Sequence, residues 1–514
     1  MKKNYLVIAA LAIGTCASAQ KKPADPTKYA KLITAEDAKK HLSILASDEY
    51  EGRETGKPGA DKAAHYLENE FKRLGLQAPV DGSYFLDIPL VENSLKITGT
   101  LNGQEIVNGK DFVAGRGAIP DKTVNATEVA FIGYGTDAEI GTTDLSGKVL
   151  VWINEDKPEA GKTPNTSYRM SNARMAVVKN LQSKNPFLIL AVNGEVAGLL
   201  KRMGGSVTGG RLSIKSDAAK PAASTNAPVL NVTAELADQI IKSSGKKIAD
   251  IKSGSAQIIQ TDLHVTFKTE TKDVKAVDVL GFMPGTDLKD EVLVFSAHYD
   301  HIGLNPNGPD KVNNGADDDG SGTTGILEIA KAFAQAKKDG HGPRRSILFL
   351  GNVGEEKGLL GSEYYTDHPV FPLANTITDL NIDMIGRVGF DYIGKPDSAN
   401  YVYTIGSAML SKELHQINED ANAKYTHLDQ DYKYDDPNDP NRFYYRSDHY
   451  NFAKHGVPII FYFNGVHADY HQPGDEVSKI NFPLLAKRAQ LVFYTGWELA
   501  NRDKRPVVDA PAGK

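Results

Sequence analysis

The sequence predicts an α/β protein with a mixed, mostly parallel central sheet, helices on both of its faces, and an inserted β-rich domain. Three observations lead there. Between residues 274 and 501, nearly continuous apolar runs ("EVLVFSAH", "SILFLGNV", "DLNIDMIG", "VPIIFYFN") alternate with helical segments, the pattern of strands covered on both faces. Between about 117 and 268 the texture changes to short β-like runs ("EVAFIGYG", "KVLVWI", "FLILAVNG", "APVLNV") punctuated by glycines. A chain of 514 residues also exceeds what one core usually organises.

Taken in order, residues 1–19 read as a signal peptide. Lys2 and Lys3 precede an apolar run over 5–13, and Ala17-Ser18-Ala19 ends just before Gln20. Cleavage there removes Cys16, the single cysteine, so no disulfide or thiol chemistry is expected. The expected location is periplasmic or secreted. A lipidated Cys16 is disfavoured because Thr15 is bulkier than the usual preceding residue. Residues 30–116 form the N-terminal part of the main domain, with helices over 34–45 and over the face Ala60, Ala63, Ala64, Leu67, Phe71 and Leu74. The insert occupies 117–268, with a helix over 170–181. The main domain resumes over 269–505, with helices over 323–334 and 482–499, and 506–514 is a tail.

Composition narrows the partners. With 40% hydrophobic and 24% charged residues, net charge −6 and no long basic run, the chain is not built to grip nucleic acid. No apolar run reaches the ~18 residues of a membrane span, so no stable membrane insertion is expected. A peptide or small-molecule substrate fits better; oligomeric state leaves no trace in the sequence.

Chemistry-bearing residues fall at the carboxyl ends of the predicted strands, where open α/β sheets bind ligands. His298 and Asp300 follow the first strand, Glu355 and Glu356 the second, Asp383 the third, and His471 lies in the loop after the last. "NNGADDDGSG", residues 313–322, lies between the first strand and the next helix. Each segment alone has a bland explanation: a satisfied histidine, a solvated acidic face, a turn. Together they fit two divalent ions about 3.5–4 Å apart, which need a shared carboxylate to offset their repulsion. The assignment is Asp318 as bridge, His298 and Asp383 on one ion, Glu356 and His471 on the other. Mixed imidazole and carboxylate donors favour zinc, hence two Zn2+ per chain. Glu355 remains as general base, and Asp300 as an acceptor orienting His298.

The pieces "SAHYDHIG", "GADDDGSG", "GNVGEEKGLLGS", "NIDMIGR", "YRSDHY" and "DYHQPGDE", in this order, resemble the secreted bacterial co-catalytic zinc aminopeptidases of metallopeptidase family 28. "HLSILASDEYEGRETGKPGADKAAHYLENEFKRLGL" resembles their N-terminal part. The resemblance implies a zinc-peptidase-type sheet and selects Asp318, two residues before Gly320, as the bridge. It implies that Tyr470 donates to the oxyanion and that Arg446 lies near the substrate carbonyl. It also makes the insert similar to a protease-associated (PA) domain, through "AFIGYGT" and "DLSGKVLVWI". The expected activity is removal of N-terminal residues from peptides. Carboxypeptidase or N-acyl amino acid hydrolase activity, and an inactive binding protein of the same fold, are the alternatives; glutaminyl cyclisation fits less well. The acidic, aromatic segment 429–445 is a candidate substrate selector or a solvated loop.

Overall fold

A computed structural model describes residues 24–115, 119–203, 210–215, 226–396 and 398–509. The expected signal peptide, with Cys16, lies outside the described residues. The central sheet contains β1 (Phe85–Leu101), β2 (Gln257–Met283), β3 (Leu288–His298), β4 (Arg345–Asn352), β5 (Thr376–Ile382), β6 (Tyr401–Ile405) and β7 (Ile459–Phe463). Its order is β6-β7-β5-β3-β4-β2. β4, β3, β5 and β7 run parallel, and the flanking strands β6 and β2 are antiparallel to them. The apolar runs are buried on both faces, as in "SILFLGN" and "IIFYF", because helices cover each side.

Four helices fix this sheet: α1 (Ala35–Leu45), α2 (Pro58–Arg73), α3 (Gly320–Lys338) and α4 (Phe482–Asn501). Thr34 caps α1 by accepting from the Asp37 N–H, and Asn481 caps α4 by accepting from Leu484. α3 and α4 pack through Phe333, whose ring lies 5.0 Å from Phe493 and 5.7 Å from Trp497. The expected helix over 323–334 is longer at both ends, because Asp319 supplies an N-cap one turn earlier and accepts from the Gly322 N–H. α2 lies close on the sheet at Gly281, where a Cβ would come within 2.7 Å of the Phe71 ring.

Of five sets of buried apolar residues, the two largest divide the chain. One contains α1–α4 and the central strands, with Leu42, Leu67, Phe71, Phe295, Phe349 and Phe493. The other contains Ile97, Phe112, Val151, Leu190, Val232 and Phe267. Around this second core the strands Lys122–Phe131, Val149–Ile153, Leu188–Val192 and Val229–Val232 lie in order, all parallel. The long antiparallel pair β1–β2 runs through both cores, registered from Phe85↔Val279 to Leu101↔Leu263. The other edge of β2 meets β4 at one end and Lys122–Phe131 at the other.

Candidate metal centre

Every expected ligand lies at the carboxyl rim of β3, β4, β5 and β7. His298 is the last residue of β3, where its carbonyl accepts from the Thr323 hydroxyl at 2.7 Å. Asp383 directly follows β5, held by the Ser447 hydroxyl at 2.6 Å. Glu355 and Glu356 sit in the turn after β4, and His471 adopts φ +55° in the loop after β7.

The three aspartates of the 313–322 loop diverge. Asp317 accepts from Ser321 Oγ and the Gly386 N–H, and Asp319 from the Gly322 and Met384 N–H groups. Asp318 alone faces the rim: Oδ1 lies 3.4 Å from His298 Nε2 and Oδ2 lies 3.1 Å from His471 Nε2. The loop is tied to the far side of the site by Asp475, whose carboxylate accepts from the N–H groups of both Asp317 and Asp318.

Two donor clusters result. His298, Glu355 and Asp383 offer atoms within 4.8 Å of one another, as do His301, Asp318 and Glu356. His471 Nε2 joins the second at 3.0 Å from Glu356 Oε2. His298 Nε2, Asp318 Oδ2 and Glu356 Oε1 are buried and have no hydrogen-bond partner. Buried polar atoms are rarely left so, and a cation between them accounts for the arrangement. The chemistry of the set, imidazole nitrogens with carboxylates, fits zinc.

The electrostatics match that donor set. Burial opposes ionisation of Asp318, yet His298 and His471 beside it hold its carboxyl well below the usual range. Burial pushes Glu355 well above it, partly offset by His298. Burial also works against a charged His471, but the Asp318 and Glu356 carboxylates prevail and raise it to about 10.

His298 Nδ1 is 3.1 Å from the Asp300 carbonyl and 3.6 Å from the Asp300 carboxylate, so the nearer acceptor is the backbone. The Asp300 carboxylate accepts instead from the Thr55 hydroxyl at 2.6 Å and the Glu355 N–H at 3.2 Å. Tyr470 stacks on His471, centroids 4.0 Å apart, and its hydroxyl accepts from Arg446 at 3.2 Å. Arg446 also lies over the Phe443 ring.

A narrow cavity of about 20 Å³ adjoins the clusters, lined by the apolar Met384, Phe443, Phe461, Phe463 and Val466 and by Asp318, Glu355, Asp383, Arg446 and Tyr470. Of segment 429–445, Phe443 alone lines this cavity. Its acidic side chains bond locally, Asp431 with Tyr392, Asp435 with the Gly406 N–H and Asp439 with Phe443.

Sequence reasoning did not single out Arg53, His301, Ser447 or Asp475. Arg53 is buried and donates to the carbonyls of Leu45, Tyr299, Asn314 and Gly315. His301 and Asp475 stand inside quoted motifs, "SAHYDHIG" and "DYHQPGDE". The second histidine of the first motif was the available signal.

Residues 278–496 match peptidase family M28. The chain carries a peptidase family M28 segment. It is 29% identical to a probable leucine aminopeptidase 2 of Aspergillus oryzae over 381 residues, 65% of this chain and 70% of the relative. It is 25% identical to aminopeptidase YwaD of Bacillus subtilis, over 51% of this chain and 53% of that one. The chain thus spans about half the length of several curated relatives that it matches. An aminopeptidase from Aneurinibacillus sp. strain AM-1 shares the fold with TM-score 0.54 and 19% identity, over 95% of this chain and all of that one. A zinc aminopeptidase from Bacillus subtilis shares it with TM-score 0.52 and 18% identity, over 93% and 97%. Both support the mixed, largely parallel α/β architecture.

Proposed function

We propose that the M28 segment is an aminopeptidase that uses two zinc ions, with Glu355 as general base. The observation that carries this reading is Asp318, one buried carboxylate directing separate oxygens at two donor clusters. His298 and Asp383 would hold one ion with it, and Glu356 and His471 the other. Bound there, zinc supplies Lewis acidity toward the scissile carbonyl and the attacking water. Glu355 takes the water's proton and returns it to the leaving amine. The Asp300 carboxylate orients Glu355 through its backbone N–H. Arg446 donates to the Tyr470 oxygen, which leaves the Tyr470 proton free for the developing oxyanion.

The cavity supports the substrate class. Arg446 is the only cation lining it for a C-terminal carboxylate, and Met384, Phe443, Phe461, Phe463 and Val466 give it an apolar face. The relatives named leucine aminopeptidase agree with that choice.

The second core is the proposed inserted PA-like unit. Its buried residues extend from Ile97 to Phe267, so it takes in the distal half of β1 as well as the 117–268 span. Export remains part of the proposal on the strength of residues 1–19; among the described residues no helix is long and apolar enough to cross a membrane.

Matched leucine anilides, one with a free amine and one N-acetylated, test the reading. Zinc-loaded protein is expected to cleave only the free amine, and Glu355→Ala to lose about 10²–10⁴-fold in kcat while retaining its zinc. Cleavage of the acetylated substrate would overturn the aminopeptidase assignment.

A further inference from the structure

His301 belongs to neither ion in the assignment above, yet it is built into the second cluster. Its side chain is fully buried, and neither ring nitrogen has a hydrogen-bond partner. Nδ1 lies 2.8 Å from Glu356 Oε1 and 3.8 Å from Asp318 Oδ2. Its ring meets that of His471 edge-on at 5.8 Å. His301 Nδ1 and His471 Nε2 therefore each lie 2.8 to 3.8 Å from a Glu356 oxygen and from Asp318 Oδ2. Four donors about 2.0–2.2 Å from one zinc ion stand at comparable distances from one another.

The surrounding chain is shaped for this ring. Gly315, at φ +57°, lies against it so closely that a Cβ would come within 2.5 Å of ring carbons. The backbone N–H of His301 donates to the Arg53 carbonyl, and Arg53 in turn fastens Asn314 and Gly315.

We propose that His301 ligates the second ion through Nδ1, completing a site of four side chains with Asp318, Glu356 and His471. The inference rests on the two-zinc reading. It makes the two ions unequal: the second is closed by protein, while the first, on His298, Asp383 and Asp318, keeps a position for substrate. A chelator should then strip the first ion before the second.

Proton NMR of the cobalt-loaded protein tests this without a variant, since each imidazole ligand contributes one strongly shifted N–H resonance that vanishes in D2O. Three such resonances are expected, from His298, His301 and His471. His301→Asn keeps an N–H toward Glu356 but no ring nitrogen. It should lose one resonance and release one ion at a chelator concentration lower by at least about 10–100-fold, the loss that even an outer partner of a ligand causes. Two resonances in protein holding two cobalt ions, or wild-type retention of both by His301→Asn, would overturn ligation by His301 alone. Fewer than two bound ions would overturn the two-ion reading and this inference with it.

Discussion

Asp318 differs from its neighbours in what surrounds it, not in its chemistry. Asp317 and Asp319 are satisfied by hydroxyl and N–H donors, and Asp318 meets two imidazoles. Asp318→Asn should therefore lose both ions, read by metal analysis after dialysis, whereas Asp317→Asn should cost loop order with the metal kept. His471 yields a pH prediction. In the metal-free protein its pKa of about 10 leaves the ring charged at neutral pH, and a ligand must be neutral. Zinc uptake at pH 7 should release that proton, and affinity should fall about tenfold per unit of acidification for each proton displaced. Calorimetry in buffers of differing ionisation enthalpy measures the release; none at pH 7 would argue against His471 as a ligand. For the metal-free fold, this raised pKa stabilises fully below the unfolded value of about 6.5, and the contribution is lost as pH rises through about 10. The rim positions of His298, Glu355, Glu356 and Asp383 were legible because each follows an apolar run that announces a strand end. His301 was not, because nothing in "HYDH" says that both rings turn inward.

The segment around Arg53 and the loop 299–319 form one unit, although one lies before the second core and the other after it. The Arg53 guanidinium closes four backbone carbonyls that no water reaches. Arg53→Met removes those donors at similar bulk, and each orphaned buried carbonyl costs about 1–3 kcal/mol. A loss of at least about 3 kcal/mol is expected, read as a lowered urea midpoint, together with weaker zinc retention because the loop carries Asp318. Unchanged stability would show that the carbonyls find other donors. Helices with a clear apolar face, such as α2, were legible from periodicity. The β1–β2 pair was not: "TFKTETKDVKAVDV" mixes charge into its alternation, and its partner is far away in sequence. The same distance hid Arg53, whose acceptors at 299–315 no local pattern connects to it.

Two cores in one chain predict two unfolding events. Trp152 is fully buried in the unit around the parallel strands 122–232, where its indole N–H donates to the Tyr134 carbonyl. Trp152→Ala should cost that unit about 3–5 kcal/mol. Calorimetry is expected to show one transition moved down while zinc continues to protect the other; a single transition shifting as a whole would mean that β1–β2 makes the cores cooperative.

The Arg53 clamp also bears on how the chain is made. Its Gly315 acceptor lies 262 residues downstream, and a ribosome adding about 5–20 residues per second reaches it roughly 13–50 s later. Throughout that interval the N-terminal segment has neither its anchor loop nor the strands that α2 covers. The nascent chain must therefore hold its first two helices without their partners until its own second half is made.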